Sequence, residues 1–228
     1  MSPDPKKPAA APPQADADDH AFRWDNFRSR PALLLFLLTA VIGVVLDLWT
    51  KNWAYHALVY DTTETAASSH FLSRTYELVP GWLHLRFTGN RGAVFGIGQG
   101  KRVLFLIVSV GAIGFLGYLF GTSGRRQRFY HFVLGMLLAG VLGNMYDRIR
   151  HGYVRDMIYA LPDWAWPGTW QIPLINYPAS PHREVFPWIF NVADVFLCTG
   201  VGLMLAHQVL LFFRRTPERH AELKPAGS

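Results

Sequence analysis

PALLLFLLTAVIGVVLDLWT, residues 31–50, holds a single charged side chain, Asp47. A bilayer core needs about 20 mostly apolar residues per helix, with about 17 as the lower limit. This stretch meets the requirement. So do Val103–Thr122 and Phe129–Tyr146, which carry no acidic or basic charge, and Trp188–Phe213, which carries only Asp194. In lipid every backbone polar group must be satisfied internally, so spanning segments are helices or closed barrels. Four such runs predict an all-α membrane protein with four transmembrane helices. The composition agrees: the chain is 50% hydrophobic and 17% charged, against about 25% charged in a soluble domain. A disordered chain would need the reverse balance.

Outward from these runs, residues 1–22 are rich in Pro, Ala and Asp and read as a disordered stretch. It is too acidic for the n-region of a signal peptide, and no small-residue cleavage site follows the first run, so that helix is expected to be retained. Arg23, Arg28 and Arg30 precede the first run, Arg125, Arg126 and Arg128 join the second to the third, and Arg214 and Arg215 follow the fourth. The positive-inside rule puts all three groups in the cytoplasm, giving an N-in/C-in protein; Lys101 and Arg102, at the other end of the second run, oppose it. The expected organisation is a cytoplasmic tail over 1–30, a membrane domain over 31–213 and a second cytoplasmic tail over 214–228. Basic residues placed at helix ends set topology, so the net charge of +6 does not indicate nucleic acid as a partner.

Two long loops, about 55–100 and 148–187, then face outward. In the first, Tyr76–Val79 and Trp82–Thr88 alternate in the manner of short strands, predicting a small β cradle. The second is rich in Trp and Pro from Pro162 to Pro187, a composition suited to the membrane interface. Glycines at 111, 114, 117 and 121, and at 135, 140 and 143, predict close helix packing. The one cysteine, Cys198, allows no intrachain disulfide and is expected to fill space in the last helix.

Carboxylates are expensive in hydrocarbon, yet Asp47, Asp147, Asp156 and Asp194 all fall at the outward ends of the predicted spans. Asp47 and Lys51 stand i,i+4 and can neutralise each other. Asn144 and Asp147 share a helix face at i,i+3, as do Asn191 and Asp194. Arg148 can pair with a carboxylate and hold it ionised, and Asp147 with Arg148 reads as an orienting pair. Asp156 and Asp194 have no cation at i±3 or i±4. Two carboxylates forced together share a proton, one serving as base and the other as acid, which is the chemistry that activates water. The histidines have no HExxH spacing, His207 reads as a packed or interfacial residue, and there is no Walker-type phosphate loop. A transporter or proton channel, a metal-dependent headgroup transferase using Asp147 and Asp156, and a non-catalytic assembly factor are the competing classes.

Asp47-Leu-Trp-Thr-Lys51, Asn90-Arg-Gly-Ala-Val-Phe95, Gly143-Asn-Met-Tyr-Asp-Arg148 with His151-Gly-Tyr-Val-Arg-Asp156, and Phe190-Asn-Val-Ala-Asp194 together resemble, in order, the four motifs of the lipoprotein signal peptidases, the type II signal peptidases of bacteria. The resemblance implies an intramembrane aspartic endopeptidase of the bacterial inner membrane with its active site on the periplasmic side. Its substrates would be diacylglyceryl-modified prolipoproteins, cut on the N-terminal side of the lipid-bearing cysteine. It implies Asp156 and Asp194 as catalytic residues, and Asn90, Gly92, Asn144, Arg148 and Asn191 as binding or orienting residues. Asp47, Lys51 and Asp147 would be structural. No metal or cofactor is implied; membrane lipid and globomycin-like peptide inhibitors are implied partners. Met157 stands where the family usually has Phe, and Leu161–Val185 looks like an insertion.

Overall fold

The computed structural model describes residues 24–27, 29–61, 71–92, 101–165 and 184–222. Four long helices organise them: α1 (Arg30–Leu58), α2 (Arg102–Thr122), α3 (Arg128–Arg150) and α4 (Val192–Glu222). All four contain windows long and apolar enough to cross a membrane. The chain is therefore that of an integral membrane protein. Residues 1–23 of the tail expected over 1–30 lie outside the described residues, but its end is ordered: Trp24–Phe27 form a 3-10 turn whose buried Asn26 donates to the Phe120 carbonyl at 2.9 Å, and Arg30 begins α1. At the other end, α4 continues beyond Phe213 into residues expected to belong to the C-terminal tail.

The spanning window of α3 has a mean hydropathy of only 1.3, against 2.5 for α1. The reason is its position: α1, α2 and α4 all pack on it. Because neighbouring helices rather than lipid surround it, α3 can carry Asn144 and Asp147 inward. Glycines bring these helices together. A Cβ at Gly135 would sit 2.7 Å from the Phe36 carbonyl oxygen, and one at Gly140 would sit 2.6 Å from that of Ala193. The expectation fails for Gly111, Gly114 and Gly117, which have nothing within 4 Å; α2 meets α3 through larger residues such as Leu116 and Phe120. Cys198 is exposed on α4, so it fills no interior space.

Six strands accompany the helices: β1 (Val59–Asp61), β2 (Leu72–Ser73), β3 (Thr75–Val79), β4 (Leu83–Asn90), β5 (Val154–Ala160) and β6 (Ile189–Phe190). β1 and β2 form a two-stranded ribbon, and the others an antiparallel sheet in the order β3-β4-β5-β6. The alternation at 76–79 and 82–88 did mark β3 and β4. β5 falls within the stretch 148–187 expected to be a loop. A register shift between Leu85 and Thr88 sets Thr88 opposite Asp156 and Asn90 opposite Val154. Under the sheet, Phe87 and Met157 pack with Ala54 and Leu58 at the end of α1. Phe71 and Tyr55 meet Phe87 edge-on at 5.2 and 5.5 Å, so aromatic bulk surrounds the methionine.

The feet of the predicted insertion are joined. Ala165 bridges Glu184, the Val185 amide donates to the Trp164 carbonyl at 2.6 Å, and Trp164 meets Trp82 at 4.9 Å between ring centroids. Residues 166–183, most of the insertion, lie outside the described residues.

Candidate active site

The end of the bundle next to the sheet inverts the ordinary distribution of polarity. Leu46, Trp49 and Trp53 are exposed on α1, whereas Asp47, Lys51, Asn144, Asp147, Arg155, Asp156, Asn191 and Asp194 are buried. Buried charges need partners, and two groups of contacts supply them.

The first group joins α1, α3 and β5. Lys51 Nζ donates to Asp47 Oδ2 at 2.7 Å and to Asn144 Oδ1 at 3.0 Å, and lies 3.4 Å from Asp147 Oδ2. Arg155 donates to Asp147 Oδ1 from Nε at 3.0 Å and from its terminal nitrogen at 2.7 Å, while its amide donates to Asp147 Oδ2 at 2.9 Å. Two cations thus face two carboxylates. The expected orientation of Asp147 by its neighbour Arg148 is corrected: Arg155 fills that role. Arg148 instead donates to the Gly92 carbonyl at 2.9 Å and lies over the Phe105 ring at 4.9 Å. Successive helical positions point about 100° apart, so adjacency at 147 and 148 separates these side chains. Arg155 gave no sequence signal, because nothing marked residues 154–160 as a strand delivering it to α3.

The second group is built on the start of α4. Asn191 precedes the helix, its Oδ1 accepting from the Asp194 amide at 3.1 Å while Asp194 Oδ2 accepts from the Asn191 amide at 3.2 Å. This reciprocal pair is a capping box with Asn and Asp in place of the usual Ser/Thr and Glu. The Ala193 amide donates to Asp47 Oδ1 at 2.9 Å, tying the start of α4 to α1. Gly143 leaves room for this: a Cβ there would collide with Asp47 Oδ2.

Asn191 and Asn144 connect the remaining carboxylates. Asn191 Nδ2 donates to Asp156 Oδ1 at 2.6 Å and to Asn144 Oδ1 at 3.2 Å; Asn144 Nδ2 donates to Asp194 Oδ1 at 2.8 Å. Asp156 and Asp194 are therefore both bonded to Asn191. Asp194 has both oxygens engaged, whereas Oδ2 of Asp156 is buried with no hydrogen-bond partner. Burial holds the Asp156 carboxyl well above its ordinary value, the nearby Asp194 pushes the same way, and hydrogen bonds from Asn191 and Asn90 oppose them.

Beside these groups lies a cavity of about 190 Å³, with Asn90, Asn144, Arg148 and Asp194 at its polar end. Phe105, Val108 and Ala112 of α2 and Leu197 of α4 line its apolar part. Asn90 ends β4 and accepts the Gly92 amide at 2.8 Å, closing a tight turn. Residues 93–95 of that motif lie outside the described residues. All ten sequence-predicted site residues are thus at the sheet end of the bundle. Sequence reasoning missed Arg155, the Ala193 amide and Phe105.

The family model described as Signal peptidase (SPase) II matches residues 39–210. The chain belongs to the signal peptidase II family. A relative named Lipoprotein signal peptidase from Latilactobacillus sakei subsp. sakei (strain 23K) is 32% identical over 169 residues, covering 74% of this chain and 89% of the relative. One of the same name from Enterococcus faecalis (strain ATCC 700802 / V583) is 30% identical over 178 residues, covering 78% and 89%. A bacterial membrane enzyme solved in meso at 2.3 Å resolution superposes with a TM-score of 0.56 at 25% identity, over 85% of this chain and 93% of its own.

Proposed function

We propose that the chain is an intramembrane aspartic endopeptidase that removes the signal peptide from diacylglyceryl-modified prolipoproteins, cutting on the N-terminal side of the lipid-bearing cysteine. Family membership supports the substrate class. The observation that carries the mechanism is the shared attachment of Asp156 and Asp194 to Asn191.

The two carboxylates have different roles in this reading. Asp194, held through both oxygens by Asn144 and Asn191, is the base in this reading. Asp156, buried and with Oδ2 unpartnered, carries the proton of the pair. Asp194 takes a proton from a water molecule as its oxygen attacks the scissile carbonyl carbon. Asp156 donates its hydrogen bond to the carbonyl oxygen, stabilising the developing negative charge. Collapse of the tetrahedral intermediate breaks the C–N bond. The proton held by Asp194 passes to the departing amine, which becomes the new N-terminus of the lipid-bearing cysteine. Asn144 and Asn191 hold the pair, while Asn90, Gly92 and Arg148 bind or orient substrate. Asp47, Lys51 and Asp147, with Arg155, are structural.

The apolar wall between α2 and α4 suits the acyl chains, and the four-stranded sheet serves as a cradle for the peptide. The positive-inside argument supports N-in/C-in insertion in the bacterial inner membrane, with this site on the periplasmic side. No metal or cofactor takes part. Incubating the purified protein with a diacylglyceryl-modified precursor tests the reading. It predicts cleavage that a globomycin-like peptide blocks and EDTA leaves unchanged; loss of cleavage in EDTA, restored by a divalent ion, would refute the metal-free mechanism.

A further inference from the structure

A second cavity, of about 640 Å³, lies at the opposite end of the bundle. Ser29, Pro31, Ala32 and Leu35 line it from the start of α1, and Arg125, Arg126 and Arg128 from the link between α2 and α3. Arg126 and Arg128 are exposed, and no carboxylate is among the described lining residues. Ser29, at the N-cap of α1, uses its side chain for no capping hydrogen bond. α1 and α3 begin at this end while α2 and α4 run towards it, so the helix dipoles offset one another and the arginines set the local charge.

The chemistry changes with depth. Leu35 stands five residues into α1 from Arg30, about 7.5 Å along the axis at 1.5 Å per residue. Its neighbours Leu34 and Leu38 are exposed on the apolar surface of the helix. A rim of guanidinium groups therefore gives way to an apolar wall within the spanning segment. Arginine matches phosphate oxygens in bidentate geometry. An inorganic anion would occupy the rim and leave the wall uncovered, whereas a phospholipid covers both. From this we infer that the cavity is a binding site for an anionic phospholipid, its phosphate between Arg126 and Arg128 and the start of an acyl chain along Leu35. This site is separate from the carboxylates and does not depend on the reaction assigned to them.

The full chain, purified in a mild detergent, is offered phosphatidylglycerol or phosphatidylcholine, and the lipid retained is counted by native mass spectrometry. Phosphatidylglycerol should be retained about tenfold over phosphatidylcholine, with roughly a fivefold loss for each arginine neutralised. Arg126→Gln with Arg128→Gln tests the rim. Leu35→Trp tests the wall while keeping every arginine, and with them the signal for orientation; it should also reduce retention. Inorganic phosphate at matched concentration should displace little lipid. Equal retention of the two lipids, retention unchanged in folded rim and wall variants, or full displacement by inorganic phosphate would each overturn the proposal.

Discussion

Asn191 makes four hydrogen bonds through its side chain and amide, reaching Asp194, Asp156 and Asn144. The proposed reaction depends on the unequal environments that result. Asp156→Asn and Asp194→Asn, each nearly isosteric, should reduce precursor cleavage by about 10²–10⁴-fold, the usual contribution of a general acid or base, while the protein still inserts and folds. Asp156→Asn should also stabilise the protein. An unfolded aspartate titrates near 3.9, and burial raises the folded value well above that. The folded state therefore holds a proton that the unfolded chain has released. The stability contributed by this proton is complete below about pH 3.9 and is lost as pH rises through the folded value. The Asn variant has no such loss. Its gain in Tm over the parent should grow as pH is raised from 4 towards 8, by a few degrees in all. A difference independent of pH would show that Asp156 is not held protonated.

Between elements, the ion network of Asp47, Lys51, Asp147 and Arg155 fastens α1 and β5 to α3. Removing one member leaves its partners charged and buried, so Asp147→Ala should cost about 3–5 kcal/mol, read as a fall in Tm and in yield. Glycines give a paired test. Gly143→Ala puts a methyl group against the Asp47 carboxylate and should lower both Tm and cleavage. Gly114→Ala meets nothing within 4 Å and should be neutral or stabilising by up to about 1 kcal/mol, since alanine favours the helix. The same contrast shows what the sequence could express. Glycine spacing on α2 and α3 looks alike, but only α3 is surrounded by helices. The four spans were legible because a bilayer demands long apolar runs, and β3 and β4 because their residues alternate. β5 was not: its first four residues are all buried, so Val154–Ala160 lacks the alternation of a half-buried strand. That omission hid the partnership of Arg155 with Asp147 and made Arg148 look like the partner. The spacing of Asn191 and Asp194 was visible, but its role as a helix cap needed the backbone.

For the whole molecule, polarity is concentrated at one end of an otherwise apolar bundle, beside a cavity of about 190 Å³ between helices. The Asp-containing motifs could be assigned to the ends of spans from sequence, because charge is tolerated there; which carboxylates share a partner depended on the fold. Orientation is open to a direct check. A cysteine replacing Gln127, between α2 and α3, in a Cys198→Ser background should react with an impermeant maleimide only after the cells are permeabilised. Labelling in intact cells would reverse the topology and put the carboxylates on the cytoplasmic side. The central claim, that Asp156 and Asp194 together hydrolyse the peptide bond before a lipid-bearing cysteine, is tested most directly by mass spectrometry of a diacylglyceryl-modified precursor after incubation with the parent protein, Asp156→Asn and Asp194→Asn. The account predicts a mature product beginning at the modified cysteine from the parent alone; the same product formed at the parental rate by either folded variant would contradict it.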